Sequence, residues 1–315
     1  MEHYEPQIFT LRTRDGSPFR ASERWVAKFV TNECKYTKRT ATRAAHKIPR
    51  DFEELLRHSL LRHIRVIRDY AIPAGCRVNI DQTQVVLQDS GKNTYHPIGD
   101  NQVTVHGIDE KRAFTILVGV SAAGALLPFQ VVYKGNSKAS LPRNTAPRYS
   151  DASELGFEFT WGGDTYWSTQ RTMRDYVQNI LAPHFAQVKT NLGLDPTQEC
   201  LLQLDCWSVH RSEEFRDWMQ KQYPWIKLDY VPGGCTGIWQ PCDVGIQRGL
   251  KHVIRQCQHA DVVAETVAAL ELGTRPENIS LSQSVGELRD RSVSWLVQAF
   301  HRMNNPALVQ KVCMI

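Results

Sequence analysis

Between Phe52 and Tyr70 apolar residues recur every three or four positions, a spacing that predicts a helix burying one stripe: Phe52, Leu56, Leu60, His63, Ile67 and Tyr70. Arg57, Arg62, Arg65 and Arg68 lie largely off that stripe. Pro49 precedes Asp51-Phe-Glu-Glu54, a helix start in which Asp51 caps and Glu54 reaches back, and Pro73-Ala-Gly75 ends the run. Upstream, residues 20–47 read as a short helix with Trp25, Phe29 and Val30 on one face, followed by a basic, Thr-rich strap. After Gly75 the period changes. Arg77 to Leu87 reads as a strand, Gly91-Lys-Asn93 as a turn, and Ala113–Val120 with Ala125–Tyr133 as a hairpin whose Gly124 is free to take positive φ.

Residues 136–160 are rich in Ser, Pro, Asn and Arg and read as a long loop. Helical spacing returns over Thr165–Val188, with Trp167, Met173, Val177, Ile180 and Leu181 as its apolar positions. Cys200–Asp205 is a short buried strand, Ser212–Tyr223 a helix, and Ile226–Val231 another strand. A helix follows Pro241 to about Gln258 with Ile246, Leu250, Val253, Ile254 and Cys257 inward; residues 260–315 read as helical, most clearly Ser282–Met303. Three antiparallel-looking strands followed by helix–strand–helix–strand–helix predict an α/β chain with a mixed sheet flanked by helices. That order matches the ribonuclease H-like arrangement. The expected division is a basic helical N-terminal segment (1–75), a catalytic domain (76–258) and a C-terminal helical extension (259–315).

Composition narrows the classes. At 42% apolar and 23% charged, the 315 residues are ordinary for a chain able to bury a core. The longest apolar stretches, 113–120 and 122–129, are broken by Ser121 and Gly124, whereas a membrane span needs about 20 apolar residues. The N-terminus lacks the basic start and apolar run of a signal peptide, and the eight scattered cysteines include no Cys-x-x-Cys pair, so reduced thiols in a cytosolic or nuclear protein are expected. The net charge of +5 is uneven: residues 1–73 carry 15 Lys and Arg against 9 Asp and Glu. A basic arm of this kind suits an acidic polymer as partner, although a solvated helical surface accounts for the same count.

Three aspartates fall at the ends or in the middle of these elements. Asp81 lies inside the first strand (Val78-Asn-Ile-Asp81), Asp205 closes Leu201-Leu-Gln-Leu-Asp205, and Asp243 sits in the first turn of the helix that Pro241 begins. A carboxylate beside Ile80 or Leu204 in a buried strand needs a partner, because an uncompensated buried charge costs several kcal/mol. Mg²⁺ or Mn²⁺ accepts several carboxylates at once. Turn capping by Asp205 and a favourable helix-dipole position for Asp243 are the plainer alternatives for each residue alone.

The motifs around these residues carry a family resemblance. Asn79-Ile-Asp-Gln-Thr-Gln-Val85 resembles the first-aspartate motif of the DDE superfamily transposases, in the pogo, Tigger and centromere protein B-related branch. Leu204-Asp-Cys-Trp-Ser-Val-His-Arg211 is similar to the second, and Tyr230-Val-Pro-Gly-Gly-Cys-Thr-Gly-Ile-Trp-Gln-Pro-Cys-Asp-Val-Gly-Ile246 to the third, in which Gln-Pro precedes the acid. The resemblance implies an RNase H-like fold, two divalent ions held by Asp81, Asp205 and Asp243, and metal-dependent cleavage and strand transfer of DNA. The sequence departs from the pattern at Gln82, where the family has Glu, and at Cys206, where it has Asn; residues 20–47 resemble only the tail of the family's helix-turn-helix region.

His210, Gln240 and Gln82 form a second tier near the site, each with a packing role as its rival. Arg248, Lys251 and Arg255 on the Asp243 helix, with Lys38, Arg39 and Arg43 in the strap, are the candidates for sequence-blind contact with the DNA backbone. The implied partners are DNA and a second copy of the chain in a homodimer or larger assembly, with no membrane and no small-molecule substrate; the implied location is nuclear. Two other readings stand beside the enzyme: a domesticated, transposase-derived DNA-binding protein without turnover, and an RNA:DNA hybrid nuclease on the same fold.

Overall fold

Strict alternation of side chains across one strand sets the architecture. In β4 (Ala113–Ser121), Phe114, Ile116, Val118 and Val120 point to one face and Leu117 to the other, and every residue of the strand is buried. A strand covered on both faces belongs to the middle of a sheet packed between two layers. The structure, a computed structural model, describes residues 7, 10–13, 15–40, 48–87, 93–97, 112–275, 278–279 and 284–313, with backbone alone for 38–40 and 93–97. Its contacts divide the chain into a smaller unit (Met1–Ala45 and Ser90–Asp109) and a larger one (His46–Asp89 and Glu110–Ile315).

In the smaller unit, Ser22 caps α1 (Glu23–Asn32), where Trp25 stacks on Phe29 with ring centroids 5.2 Å apart. The expected strap is in part a strand: β1 (Tyr36–Thr40) pairs antiparallel with β3 (Asn93–Pro97). The turn expected at Gly91-Lys92 lies outside the described residues.

The larger unit opens with α2 (Phe52–Asp69) and then β2 (Arg77–Val86). The α2 stripe departs in part from the sequence expectation: Ser59 is buried while Leu60 and Tyr70 are 40% and 41% exposed. Polar contacts also tie this helix to the sheet. Arg62 Nε and His63 Nδ1 reach the two oxygens of Asp229 at 2.7 and 2.9 Å, and Asp229 is buried in β8 (Ile226–Tyr230). Asp51 stands at the N-cap without a side-chain capping bond, which also departs from expectation.

Six strands form one mixed sheet in the order β6-β5-β4-β2-β7-β8, with β5 (Gln130–Tyr133), β6 (Glu158–Trp161) and β7 (Cys200–Leu204) completing the set. The β2–β4 and β4–β5 pairs are antiparallel; β2–β7, β7–β8 and β5–β6 are parallel. An antiparallel meander with two parallel strands added beside its first strand is the RNase H-like arrangement. The sixth strand corrects the expected long loop: residues 136–160 hold α3 (Tyr149–Glu154) and the start of β6. Their polar composition hid Ala152 and Phe157, which are buried against the sheet.

Two layers of helices cover this sheet. One comprises α4 (Gln170–Tyr176), a π-turn at Val177–Leu181, α5 (Ala182–Leu192) and α7 (Glu213–Gln222), packing Met173, Tyr176, Phe185 and Phe215 against β2 and β7. Trp167, expected within that helix, lies before it and is 43% exposed. The other layer comprises α9 (Gln247–Glu271), α10 (Val285–Met303) and α11 (Pro306–Cys313). Here α9 runs well beyond Gln258, and Trp295, Leu296 and Phe300 of α10 share a core with Phe114, Phe129 and Tyr133 of the sheet. The tail of the chain therefore supplies half of the sheet's cover. No helix of the described residues is long and apolar enough to cross a membrane.

Candidate active site

Parallel pairing of β2 with β7 aligns the first two acids. Asn79 pairs with Gln203, and carrying that register on by two residues brings Asp81 level with Asp205, just past the end of β7. Alternation along β2 sends Asp81 to the same face as Val85, the face covered by α9. Gln82 accordingly points the other way, its amide nitrogen 3.9 Å from Met173 Sδ. Gln82 serves Asp81 through its backbone and not its side chain, donating its N–H to Oδ1 at 2.8 Å.

The third acid arrives on a π-turn, Cys242–Ile246, that leads into α9. Such turns carry one extra residue in the helical ladder and are frequent where a side chain must be aimed. Two residues just before Asp243 are tied to the strand that bears Asp81. Cys242 donates its backbone N–H to Asn79 Oδ1 at 3.0 Å, and Gln240 donates its amide to the Ile80 carbonyl at 3.4 Å. On the outer side, Gly245 admits α11: a Cβ there would stand 2.2 Å from a methyl of Val312.

Asp81 is 7% exposed, and its carboxyl is pushed well above the usual carboxylate range, first by burial and then by the negative charges of Asp243 and Asp205. Asp243 also lies within hydrogen-bonding reach of it. The other two sequence-predicted acids, Asp205 and Asp243, thus lie near enough for their charges to act on Asp81. Asp205 is held separately: His210 Nδ1 lies 2.5 Å from its Oδ1, and His210 is itself 1% exposed, with Trp207 edge-on to its ring at 5.3 Å. The Tyr230 hydroxyl fixes that corner by donating to the His210 carbonyl at 2.8 Å. Among the described residues, His210 Nε2 and Gln240 Oε1 are buried without a hydrogen-bond partner.

Among the described residues no Lys or Arg forms an ion pair with Asp81, Asp205 or Asp243. Three carboxylates with oxygen donors alone fit a hard divalent ion such as Mg²⁺ or Mn²⁺. As the side chains stand, no group of three or more His, Cys, Asp or Glu among the described residues is placed to hold a metal.

Of the basic candidates, Arg248 is exposed on the first turn of α9, with Lys251 and Arg255 half-buried beyond it. Lys38 and Arg39 lie in β1 of the smaller unit, and Arg43 lies outside the described residues. Trp225 packs on Phe185 and Tyr223, with Lys189 Nζ 3.6 Å from its ring centre, which is a packing role. Sequence reasoning passed over Asn79 and Gln247. Asn79 was findable as a polar residue two positions before Asp81 on a strand; Gln247 stands four residues after Asp243, a spacing that shares a helix face.

No curated protein matches the chain. Among solved structures, the Mos1 transposase paired-end complex with left transposon end is 11% identical, with a TM-score of 0.38 over 90% of this chain and 69% of that one. The Mos1 mariner paired end complex with Mn is 11% identical, with a TM-score of 0.37 over 92% of this chain and 69% of that one. A family profile described as DDE superfamily endonuclease matches residues 111–276, which takes in Asp205 and Asp243 and begins after Asp81. With just over half of its length inside that match, the chain belongs to the DDE superfamily endonucleases.

Proposed function

We propose that this chain cuts and rejoins DNA by metal-dependent phosphodiester chemistry, with Asp81, Asp205 and Asp243 as its metal ligands. One observation carries the reading: the charges of Asp205 and Asp243 bear on the buried Asp81 from separate elements, and among the described residues no Lys or Arg forms an ion pair with any of the three. Leaving such a cluster uncompensated is destabilising, so it is retained where an ion completes it. A pair of Mg²⁺ or Mn²⁺ ions bound there supplies Lewis acidity to an in-line displacement at phosphorus. The chain's own part is orientation. The Gln82 N–H holds one oxygen of Asp81, and His210 holds one oxygen of Asp205. Arg248 and Arg255, on the polar side of α9, meet the phosphate backbone without reading bases. Joining two cut ends calls for two such sites, so a homodimer or larger assembly acting in the nucleus is part of this reading.

Cys206 favours a second reading. It stands where the family pattern has Asn, and its thiol turns to the Val231 carbonyl at 2.9 Å instead of toward the acids. A chain that binds DNA without turning it over fits that observation. Nicking of supercoiled plasmid by the purified chain with Mg²⁺ or Mn²⁺ separates the two. Asp205→Ala is expected to lower the nicking rate on the order of 10³-fold or more. Equal nicking by both proteins removes the catalytic assignment; no nicking by either, with DNA still retained, selects the second reading.

A further inference from the structure

The two oxygens of Asp81 have separate donors. Oδ1 accepts the backbone N–H of Gln82 at 2.8 Å. Oδ2 accepts Gln247 Nε2, and the same nitrogen lies 3.3 Å from the Gln82 carbonyl. Gln247 is 8% exposed and opens α9, four residues beyond Asp243. On a regular α-helix, residues four apart sit roughly 40° out of line. A turn closed by an i to i+5 bond takes up an extra residue and brings them closer to alignment. The π-turn at Cys242–Ile246 therefore delivers a carboxylate and an amide to Asp81 from one helix entry.

The kind of donor matters as much as its position. A Lys or Arg at this point would pair with Asp81 and cancel its charge. A carboxamide fixes the carboxylate in place and leaves the charge intact. Two donors, one per oxygen and from different elements, remove the rotation of the carboxylate about its own axis. We propose that Gln247 is a positioning residue: it holds the Asp81 carboxylate at the angle from which, together with Asp205 and Asp243, it takes a divalent ion. The inference rests on the reading of Asp81 as a metal ligand. Gln247 touches no substrate atom in this account and acts only through Asp81.

Two variants and one control test it, each read by Mn²⁺ binding to the purified chain (loss of the free Mn²⁺ paramagnetic resonance signal) and by melting temperature with and without Mn²⁺. Gln247→Met keeps the volume and removes the donor. It is expected to stay folded and to bind Mn²⁺ roughly 10–100-fold more weakly, the usual consequence of losing a hydrogen bond to a metal ligand. Gln247→Lys keeps a donor for the Gln82 carbonyl and places a cation on Asp81. This variant is expected to melt above the wild type without metal and to lose Mn²⁺ binding, and it answers the question should Gln247→Met not fold. Asp81→Asn is the control, expected to abolish Mn²⁺ binding. Wild-type Mn²⁺ binding by either Gln247 variant, with Asp81→Asn inactive in binding, overturns the role of Gln247 and leaves the site standing. Wild-type binding by Asp81→Asn overturns the site itself.

Discussion

The two faces of the sheet are covered by different stretches of the chain and for different ends. One face is covered by α4, α5 and α7, which arise from the crossovers joining β6, β7 and β8, so each helix lies close in sequence to β7, though not to β2, on which it also packs. The other face waits for α9, α10 and α11, and α10 begins more than 150 residues after the strand β5 that it covers. That second face carries the candidate site. Asp81 points into it, Asp243 and Gln247 descend onto it, and Gly245 sits against α11 behind the π-turn. A right-handed parallel crossover is a local event with a strong geometric preference, whereas return of a distant tail has no local signature. The first face is thus covered by helices from the middle of the chain, and the face of the three acids by α9, α10 and α11.

Core substitutions give the largest test of this contrast. Phe185, fully buried on the crossover face, and Phe300, 5% exposed among Phe129 and Phe157 on the other, are each expected to cost about 3–5 kcal/mol on replacement by Ala. Urea denaturation measures both. A Phe300→Ala cost below about 1 kcal/mol would mean that the tail rests on the sheet without forming its core.

Asp81 supplies the next effect, because it is buried on the second face with the charges of Asp205 and Asp243 acting on it. Unfolded, an aspartate titrates at about 3.9. In the folded chain burial and the charges of Asp243 and Asp205 raise that value well above the ordinary range. Between the two values the folded state binds more protons than the unfolded one, so metal-free stability falls as pH rises through this window and is lowest above it. Asp81→Asn is expected to raise the metal-free melting temperature at neutral pH by a few degrees and to flatten its dependence on pH across the window. Melting scans at two pH values suffice, and a metal-free variant that melts below the wild type refutes the strain assigned to the cluster.

The smallest effect concerns the outer surface of each helical layer. Arg248→Ala on α9 is expected to weaken binding to duplex DNA a few-fold and to lower the slope of log affinity against log salt by about 1. Lys221→Ala, exposed on α7 of the opposite layer, is expected to change neither. Fluorescence anisotropy across a salt series compares them; equal losses would place DNA on both layers or on neither.

Legibility in the sequence follows the same division. Strands β2, β4 and β7 were readable because buried alternation and short apolar runs leave few alternatives, and a parallel register then aligns Asp81 with Asp205. The hidden strand β6 was not, since Ser, Pro, Asn and Arg surround the few residues that enter the core. In α2 Phe52, Leu56, His63 and Ile67 lie on the covered side as expected, but Leu60 and Tyr70 do not, and Arg62 and His63 reach Asp229, a partner more than 160 positions away. Gln247 shows the limit for the site: a glutamine four residues after an aspartate is commonplace until the chain places Asp81 beneath it.

The π-turn at Cys242–Ile246 gives chain length a meaning of its own. Remove Gly245 alone and the net charge and the set of apolar side chains both survive. The helix would close as a regular α-helix, and its two inward-facing groups would swing to different bearings. Part of what this molecule does is therefore written as a count of residues, in a place where a comparison of residue types alone would register almost nothing.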